Sequence, residues 1–207
     1  MKTQTIINIV FAVAFVGYVV SQLNPTFDKI TCKTWVVVDA EGKERIVAFT
    51  NPDGEASVAW FDKDEKMRIG ASTFANGTAS VQWLDKDEKM RISASTLVDG
   101  TARVFWYDKD EKGRIGAGIL ADGEASVTWF DKDGKMRIDA FTLADGQASV
   151  QWFDKDGKRR IGASTLADGQ ASVQWFDKDD NERILAGTSS EGKVYLPTQD
   201  ENPPKKP

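Results

Sequence analysis

The chain has 207 residues, a net charge of −5, no histidine and a single cysteine, Cys32. The acidic balance argues against non-specific binding of nucleic acid or anionic lipid. The lack of histidine removes the commonest general base and the commonest metal ligand, and one cysteine excludes an internal disulfide and a cysteine-rich metal site. We therefore expect no catalytic residues, no metal site, no cofactor and no nucleic-acid partner.

Residues 1–25 are unlike the rest of the chain because they are apolar and carry no charge after Lys2. Residues 6–23 form an apolar run of 18 residues, which is near the lower limit for a helix that crosses a bilayer. A retained membrane anchor and a signal peptide cleaved at Gln22 both fit this pattern, and the anchor is favoured. Either one sends the rest of the chain to the periplasm or outside the cell, and cleavage would release it as a secreted protein.

Residues 34–196, which follow a linker at 26–33, repeat every 23 residues without an insertion. Six tryptophans keep this spacing: Trp60, Trp83, Trp106, Trp129, Trp152 and Trp175. Five other series keep it over seven copies each, beginning at Asp39, Arg45, Ile46, Ala48 and Gly54. Such periodicity predicts an array of small repeated units. Residues 197–207 have nothing apolar to bury and are predicted to be a disordered tail.

Each repeat contains two stretches in which side chains alternate in the manner of β-strands. Val58 and Trp60 share one face of the first stretch, and Ile69 and Ala71 share one face of the second. The opposite face carries arginines between aromatic or aliphatic neighbours, as at Arg68, which predicts stacking of guanidinium groups on rings.

Two kinds of turn join these strands, and their lengths decide how the strands pair. The turn at residues 132–135 is predicted to be an even-numbered connection that sets Trp129 opposite Ile138. The turn at residues 144–146 is predicted to be a three-residue loop with glycine in the left-handed conformation. Together they predict an all-β fold, an antiparallel meander of about fifteen strands between residues 34 and 196.

One face of this meander would carry rows of tryptophan, isoleucine, valine and alanine. Such a face is larger than the apolar patches that soluble monomers expose, and the array offers no helix to cover it. Three arrangements solve the problem: a homotrimeric prism with the tryptophans inside, a dimer of two sheets packed face to face, and a single chain coiled into a solenoid. The homotrimer is favoured.

The turns rich in aspartate resemble the start of a calcium-binding loop. Counted from Asp131, however, positions 5 and 12 are Lys135 and Thr142, where an EF-hand needs oxygen ligands. We therefore expect Asp62 and its equivalents to accept hydrogen bonds from turn amides. Because these acids recur in every repeat, they are poor candidates for a single catalytic pair.

Departures from the repeat are better candidates for a binding site than the repeat itself. Four of them form a predicted partner-binding patch on the outward face: Arg103, Phe105 and Tyr107 in the third full repeat, and Phe141 further along. Gly116 and Gly118 are predicted to stand opposite Phe105 and Arg103 and to leave room around both side chains.

Residues 131–137 (Asp-Lys-Asp-Gly-Lys-Met-Arg) and 154–160 (Asp-Lys-Asp-Gly-Lys-Arg-Arg) share one motif. In this motif the chain resembles uncharacterised bacterial envelope proteins with tandem Asp-x-Asp-Gly-Lys-x-Arg β-hairpins behind one N-terminal hydrophobic segment. The resemblance covers most of the chain, and it implies an architecture without implying an activity.

The function expected from the sequence is that of a non-enzymatic structural or scaffolding protein, anchored to a membrane through residues 6–23 and associated with copies of itself. Two alternatives remain open. One is a module that recognises glycans or proteins through outward aromatic residues. The other is an accessory subunit that binds protein partners in a larger membrane or envelope complex.

Overall fold

The computed structural model describes residues 31–196, and fifteen β-strands account for most of them. Their bounds are β1 Thr34–Val38, β2 Glu44–Thr50, β3 Ala56–Phe61, β4 Met67–Thr73, β5 Ala79–Leu84, β6 Met90–Thr96, β7 Ala102–Tyr107, β8 Gly113–Ile119, β9 Ala125–Phe130, β10 Met136–Thr142, β11 Ala148–Phe153, β12 Arg159–Thr165, β13 Ala171–Phe176, β14 Glu182–Thr188 and β15 Val194–Tyr195. The predicted anchor at 6–23 and the predicted tail at 197–207 lie outside the described residues. Within residues 31–196, no helix is both long and apolar enough to cross a membrane.

The strands form one antiparallel sheet in chain order, from β1 at one edge to β15 at the other. The predicted all-β hairpin meander is therefore confirmed. In the described part of the chain each strand contacts only its neighbours in sequence. No part of the array covers another there, so the coiled solenoid is not the arrangement found in residues 31–196.

The pairing of strands places equivalent residues of successive repeats in straight rows. Trp129 pairs with Ile138 and Val127 pairs with Ala140, as the sequence predicts. Directly paired residues project on the same side of a sheet. One side, called here the tryptophan face, therefore carries three parallel rows: a Trp–Ile row near the aspartate turns, a Val–Ala row in the middle, and an Ala–Thr row at the other edge.

The two kinds of turn have the same geometry, which corrects one prediction. At the aspartate turn the Asp131 amide donates to the oxygen of Lys135 at 2.9 Å, and the Gly134 amide donates to the oxygen of Asp131 at 3.1 Å. The Gly146 turn has the same two bonds: the Leu143 amide donates to the oxygen of Gln147 at 2.8 Å, and the Gly146 amide donates to the oxygen of Leu143 at 3.0 Å. Both loops hold three residues, and both glycines are left-handed, with φ of +77° and +90°. The predicted even-numbered loop at the aspartate turn is wrong.

A β-bulge explains why the predicted pairing is nevertheless correct. The register slips by one residue between Met136 and Ile138, so Arg137 has no partner on β9. An odd loop plus one bulged residue has the parity of an even loop, and the strand faces come out the same. Every aspartate hairpin of the array has this slip at its arginine.

The sheet is a single layer that is open on both sides. Residues 31–196 contain no buried hydrophobic side chain. The predicted set of Val58, Trp60, Ile69 and Ala71 does share one face, but the chain does not bury that face by itself. Hydrogen bonds between strands and side-chain contacts between adjacent hairpins hold the described part of the array together.

Candidate functional site

The aspartates at the start of the bulged turns accept hydrogen bonds from main-chain amides of the same turns. Oδ1 of Asp131 accepts hydrogen bonds from the amides of Asp133 and Lys135 at 2.9 and 3.0 Å. The Lys135 hydrogen bond is the main reason that the pKa of Asp131 lies below its ordinary value of 3.8; desolvation opposes it, while the Asp133 amide and the Arg137 charge lower the pKa further. Asp62 accepts the equivalent amides at 2.8 and 3.1 Å, as predicted. Residues 31–196 hold no group of three or more side chains suited to bind a metal ion.

Three of the bulged arginines connect their hairpin to the next. The Arg91 guanidinium donates to the Asp85 carboxylate of its own turn and to the main-chain oxygen of Asp108 in the following repeat. Arg45 and Arg160 make the same pair of bonds in their repeats. The predicted stacking of this arginine series on rings is not found among the described residues, where the cation–ring contact is made by another residue, Arg159, at 4.1 Å from the Phe176 ring centre.

Two further side chains reach between repeats at the same edge of the sheet. Nζ of Lys135 donates to the main-chain oxygen of Lys155 at 2.8 Å, and lysines at the equivalent position do the same along most of the array. Glu111, which stands where other turns have glycine, accepts the amide of Met90 in the preceding repeat at 3.1 Å. Every hairpin is thus fixed to its neighbours by ladder bonds and by side chains at one edge.

The tryptophan face is the largest feature of the molecule that nothing in the described chain covers. Its six spaced tryptophans are each 36 to 38% exposed. Since a whole indole side chain offers roughly 250 Å², this fraction leaves about 90 Å² on each tryptophan and about 550 Å² on the six. The valines and isoleucines between them are also partly exposed. The face as a whole exceeds the largest apolar patch of an ordinary soluble monomer, which is about 300–600 Å².

The predicted partner-binding patch lies on the opposite face, and only part of it is a cluster. Arg103, Phe105 and Tyr107 alternate along β7; the rings of Phe105 and Tyr107 have centres 6.3 Å apart. Arg103 is exposed, with Nε 3.4 Å from the hydroxyl of Ser95. Phe141 shares the row of Arg103 but stands three strands away on β10, a distance of about 14 Å. The structure does not bring Phe141 together with the other three.

The glycines opposite this cluster pair as predicted, Gly116 with Phe105 and Gly118 with Arg103. The predicted room is not free at Gly116, because a Cβ built there would lie 2.8 Å from Cε1 of the Phe105 ring. Phe105 therefore lies over its own partner strand and is half-buried. The exposed group of this patch is Arg103.

A shallow depression on the outward face near the start of the array was not predicted. It is lined by Phe49, Met67, Ser72, Phe74 and Gln82, among others. The signal was present in the sequence, since Phe49 and Phe74 replace the serine and leucine usual at their repeat positions. The depression holds no titratable group and suggests no chemistry.

The comparisons with known proteins identify no relative from which a function can be taken. No protein-family model and no curated protein matches the sequence. Among solved structures, the TCP domain of SAS-4 (dCPAP) from Drosophila melanogaster, in complex with a proline-rich motif of Ana2 (dSTIL), is similar with a TM-score of 0.45 and 13% identity. The match covers 86% of this chain and 97% of that chain. A likeness this distant carries no information about function.

Proposed function

We propose that this chain is a non-enzymatic structural protein, a scaffold that residues 6–23 anchor to a membrane and that projects outside the cytoplasm as a homotrimer. The observation that carries the proposal is the tryptophan face, which runs the length of a single-layered sheet. The Val-x-Trp and Ile-x-Ala patterns of this face recur in six successive repeats. A scaffold uses such uniformity, whereas a catalytic or small-ligand site needs side chains that occur once.

The proposal also draws on the way the hairpins are joined. The lysine and ladder bonds between repeats recur at successive steps, and at three steps an arginine, Arg45, Arg91 or Arg160, adds a bond to the next repeat. Fifteen strands at about 4.8 Å each give a sheet of about 70 Å. Such an array suits a spacer that holds something at a fixed distance from a surface.

Self-association is the part of the proposal that tryptophan fluorescence can test directly. All seven tryptophans, including Trp35, lie on the tryptophan face, so their emission reports on this face alone. If copies of the chain cover it, the full chain has blue-shifted emission that resists quenching by acrylamide, and both properties are lost on dilution below the dissociation constant. A face that remains open to acrylamide in the undiluted full chain contradicts the proposal.

Recognition of glycans or proteins through outward aromatics is the second candidate, supported by the cluster of Arg103, Phe105 and Tyr107. Two deletions of one repeat separate it from a scaffold. Removal of residues 85–107 takes out the cluster, and removal of residues 131–153 takes out a repeat that lacks it. A scaffold is shortened by about 10 Å in both and keeps its oligomeric state in both, as measured by X-ray scattering. Glycan binding is measured on an immobilised glycan panel. Recognition is favoured if the parent chain binds and only the variant that lacks residues 85–107 does not.

A further inference from the structure

The tryptophan face has a gradient of side-chain size from one edge to the other. At the edge next to the aspartate turns, the Trp–Ile row includes Trp129 and Ile138. At the opposite edge, the Ala–Thr row includes Ala125 and Thr142. The middle Val–Ala row is intermediate. The same gradient recurs in successive repeats, except that Ile119 stands in the Ala–Thr row of one repeat. Over most of its length the face is therefore thick along the edge with the Trp–Ile row and thin along the edge with the Ala–Thr row.

From this gradient we propose that neighbouring copies of the chain pack in parallel, with the Trp–Ile row of each copy against the Ala–Thr row of the next. This arrangement rests on the self-association proposed above and specifies its geometry. The partner is another copy of the same chain, pointing the same way along the array.

Packing density selects the parallel arrangement. Packed sheets stand about 10 Å apart, and an interface is filled evenly only when large side chains face small ones. A copy related by rotation about the long axis of the array offers its thin edge to the thick edge of the first. A copy that runs in the opposite direction sets tryptophan against tryptophan and leaves a void between the Ala–Thr rows, and both faults are destabilising. The same rule applies at each corner of a three-walled prism.

The charges of the two edges select the same arrangement. Loops at the thin edge carry acidic side chains, including Asp53, Asp122 and Asp145, and among them the basic residue is Lys193, which pairs with Glu191 at 2.8 Å. Turns at the thick edge combine aspartate with lysine and arginine. Opposite running copies would bring one acidic edge against another. Parallel copies bring each acidic edge to a mixed one, which avoids the repulsion of like charges.

The size and the polarity of the interface also fit. Three rows of residues along the array give a stripe of about 20 by 70 Å, or roughly 1,400 Å² on each copy. In a trimer this stripe is shared between two neighbours, about 700 Å² with each, which is close to the roughly 800 Å² per partner of a standard interface. In parallel copies the chain enters the array, at Thr34 of β1, at the same end of the assembly. That is the geometry required of chains held in one membrane by their N-terminal segments.

Distances between spin labels test the polarity. Lys63 and Lys178 lie in equivalent turns ten strands apart, about 48 Å, and their side chains are 85% and 81% exposed. Lys63→Cys and Lys178→Cys are made separately in a Cys32→Ser background, labelled with a nitroxide, and measured in the full chain in lipid nanodiscs large enough for several copies. Parallel packing predicts equal distances between copies, below about 40 Å for both sites. Antiparallel packing predicts distances of about 50 Å or more, or two unequal ones, and either result overturns the proposal.

A pair of substitutions tests which rows meet. Ala125→Trp enlarges the thin edge, where parallel packing brings a tryptophan of the partner, and should weaken association at least tenfold. Ser126→Trp places the same side chain on the outward face of the same strand and should leave association unchanged. If Ala125→Trp instead tightens association, it fills the void that only antiparallel packing leaves, and the proposal is wrong. A parent chain that is monomeric by mass photometry overturns the self-association itself, an outcome distinct from an oligomer with long or unequal distances.

Discussion

The left-handed turn residues offer a test of how the hairpins are connected, because the two kinds of turn have the same backbone conformation but different neighbouring groups. Gly134 and Gly146 have φ of +77° and +90°, and a Cβ built on either would meet no atom within 4 Å. The cost of alanine is therefore a backbone cost in both, about 1 kcal/mol. Gly134→Ala and Gly146→Ala should therefore destabilise the chain about equally.

Glutamate should separate the two positions. Glu88 and Glu111 stand at the Gly134 position of their repeats with φ of 60°, and each accepts a main-chain amide of the preceding repeat, at 3.3 and 3.1 Å. In Gly134→Glu the equivalent donor is the amide of Gly113. A hydrogen bond of this kind contributes about 0.5–1.5 kcal/mol, so it offsets most of the backbone cost. The hairpins at the other turn have no bulge, so we expect no equivalent donor there, and Gly146→Glu should cost about as much as alanine.

The assay is thermal unfolding of the full chain at one fixed concentration, because association would otherwise shift the transition. For a chain of this size, 1 kcal/mol corresponds to roughly 2–4 °C. We expect the melting temperature to fall by this amount in Gly134→Ala, Gly146→Ala and Gly146→Glu, and to change little in Gly134→Glu. If Gly134→Glu is as damaging as Gly134→Ala, the bond to the preceding repeat does not contribute, and this account of the glutamate turns is refuted.

Four further outcomes are expected of the melting temperature. Arg91→Ala should lower it by about 4 °C, because one hydrogen bond within its own turn and one to the next hairpin are lost, whereas Lys86→Ala, which removes an exposed ion pair, should leave it unchanged. Gly116→Ala should lower it, because the new Cβ displaces the Phe105 ring, whereas Gly70→Ala meets only a flexible methionine at 3.5 Å and should be mild. The melting temperature should be constant between pH 5.5 and 7.5, because the chain has no histidine to titrate there, and should fall below about pH 4. The pKa of Asp131 is lower in the folded chain than its ordinary value of 3.8. The stabilisation from the ionised Asp131 is therefore present above pH 3.8 and is lost as the pH falls through the pKa of the folded chain. A chelator should not change the melting temperature, and a clear decrease would revive the calcium-loop interpretation.

Periodicity made the strands and their faces predictable from the sequence, because with a strict repeat of 23 residues only one assignment of residues to the two faces fits every repeat. The turn geometry that produces this assignment was not predictable. An even loop, and an odd loop followed by a bulge, produce the same pairing of Trp129 with Ile138, and the alternation cannot distinguish them. The bulge in turn places Arg137 against its own turn, and this is why the expected stacking on aromatic rings does not occur.

The partner-binding patch was predictable only as a set of unusual residues. Sequence spacing showed that Arg103, Phe105 and Tyr107 share a face, since they alternate on one strand. It did not show that Phe105 would lie over Gly116, because that depends on the rotamer the ring adopts beside an absent side chain. Phe141 was grouped with them on chemistry alone, and the spacing of strands separates it from them.

An array without a core of its own couples its stability to its length. Each hairpin contacts only the next one, so contributions add repeat by repeat, as in other linear repeat proteins. Each repeat also adds the same strip of tryptophan face, so the area available to a neighbouring copy grows in proportion to the number of repeats. Removing residues 131–153 should therefore weaken association as well as shorten the array, and it should do so to the same degree as removing any other internal repeat. An interface formed at one special repeat would lose its strength only when that repeat is deleted, and the comparison of the two deletions distinguishes these cases.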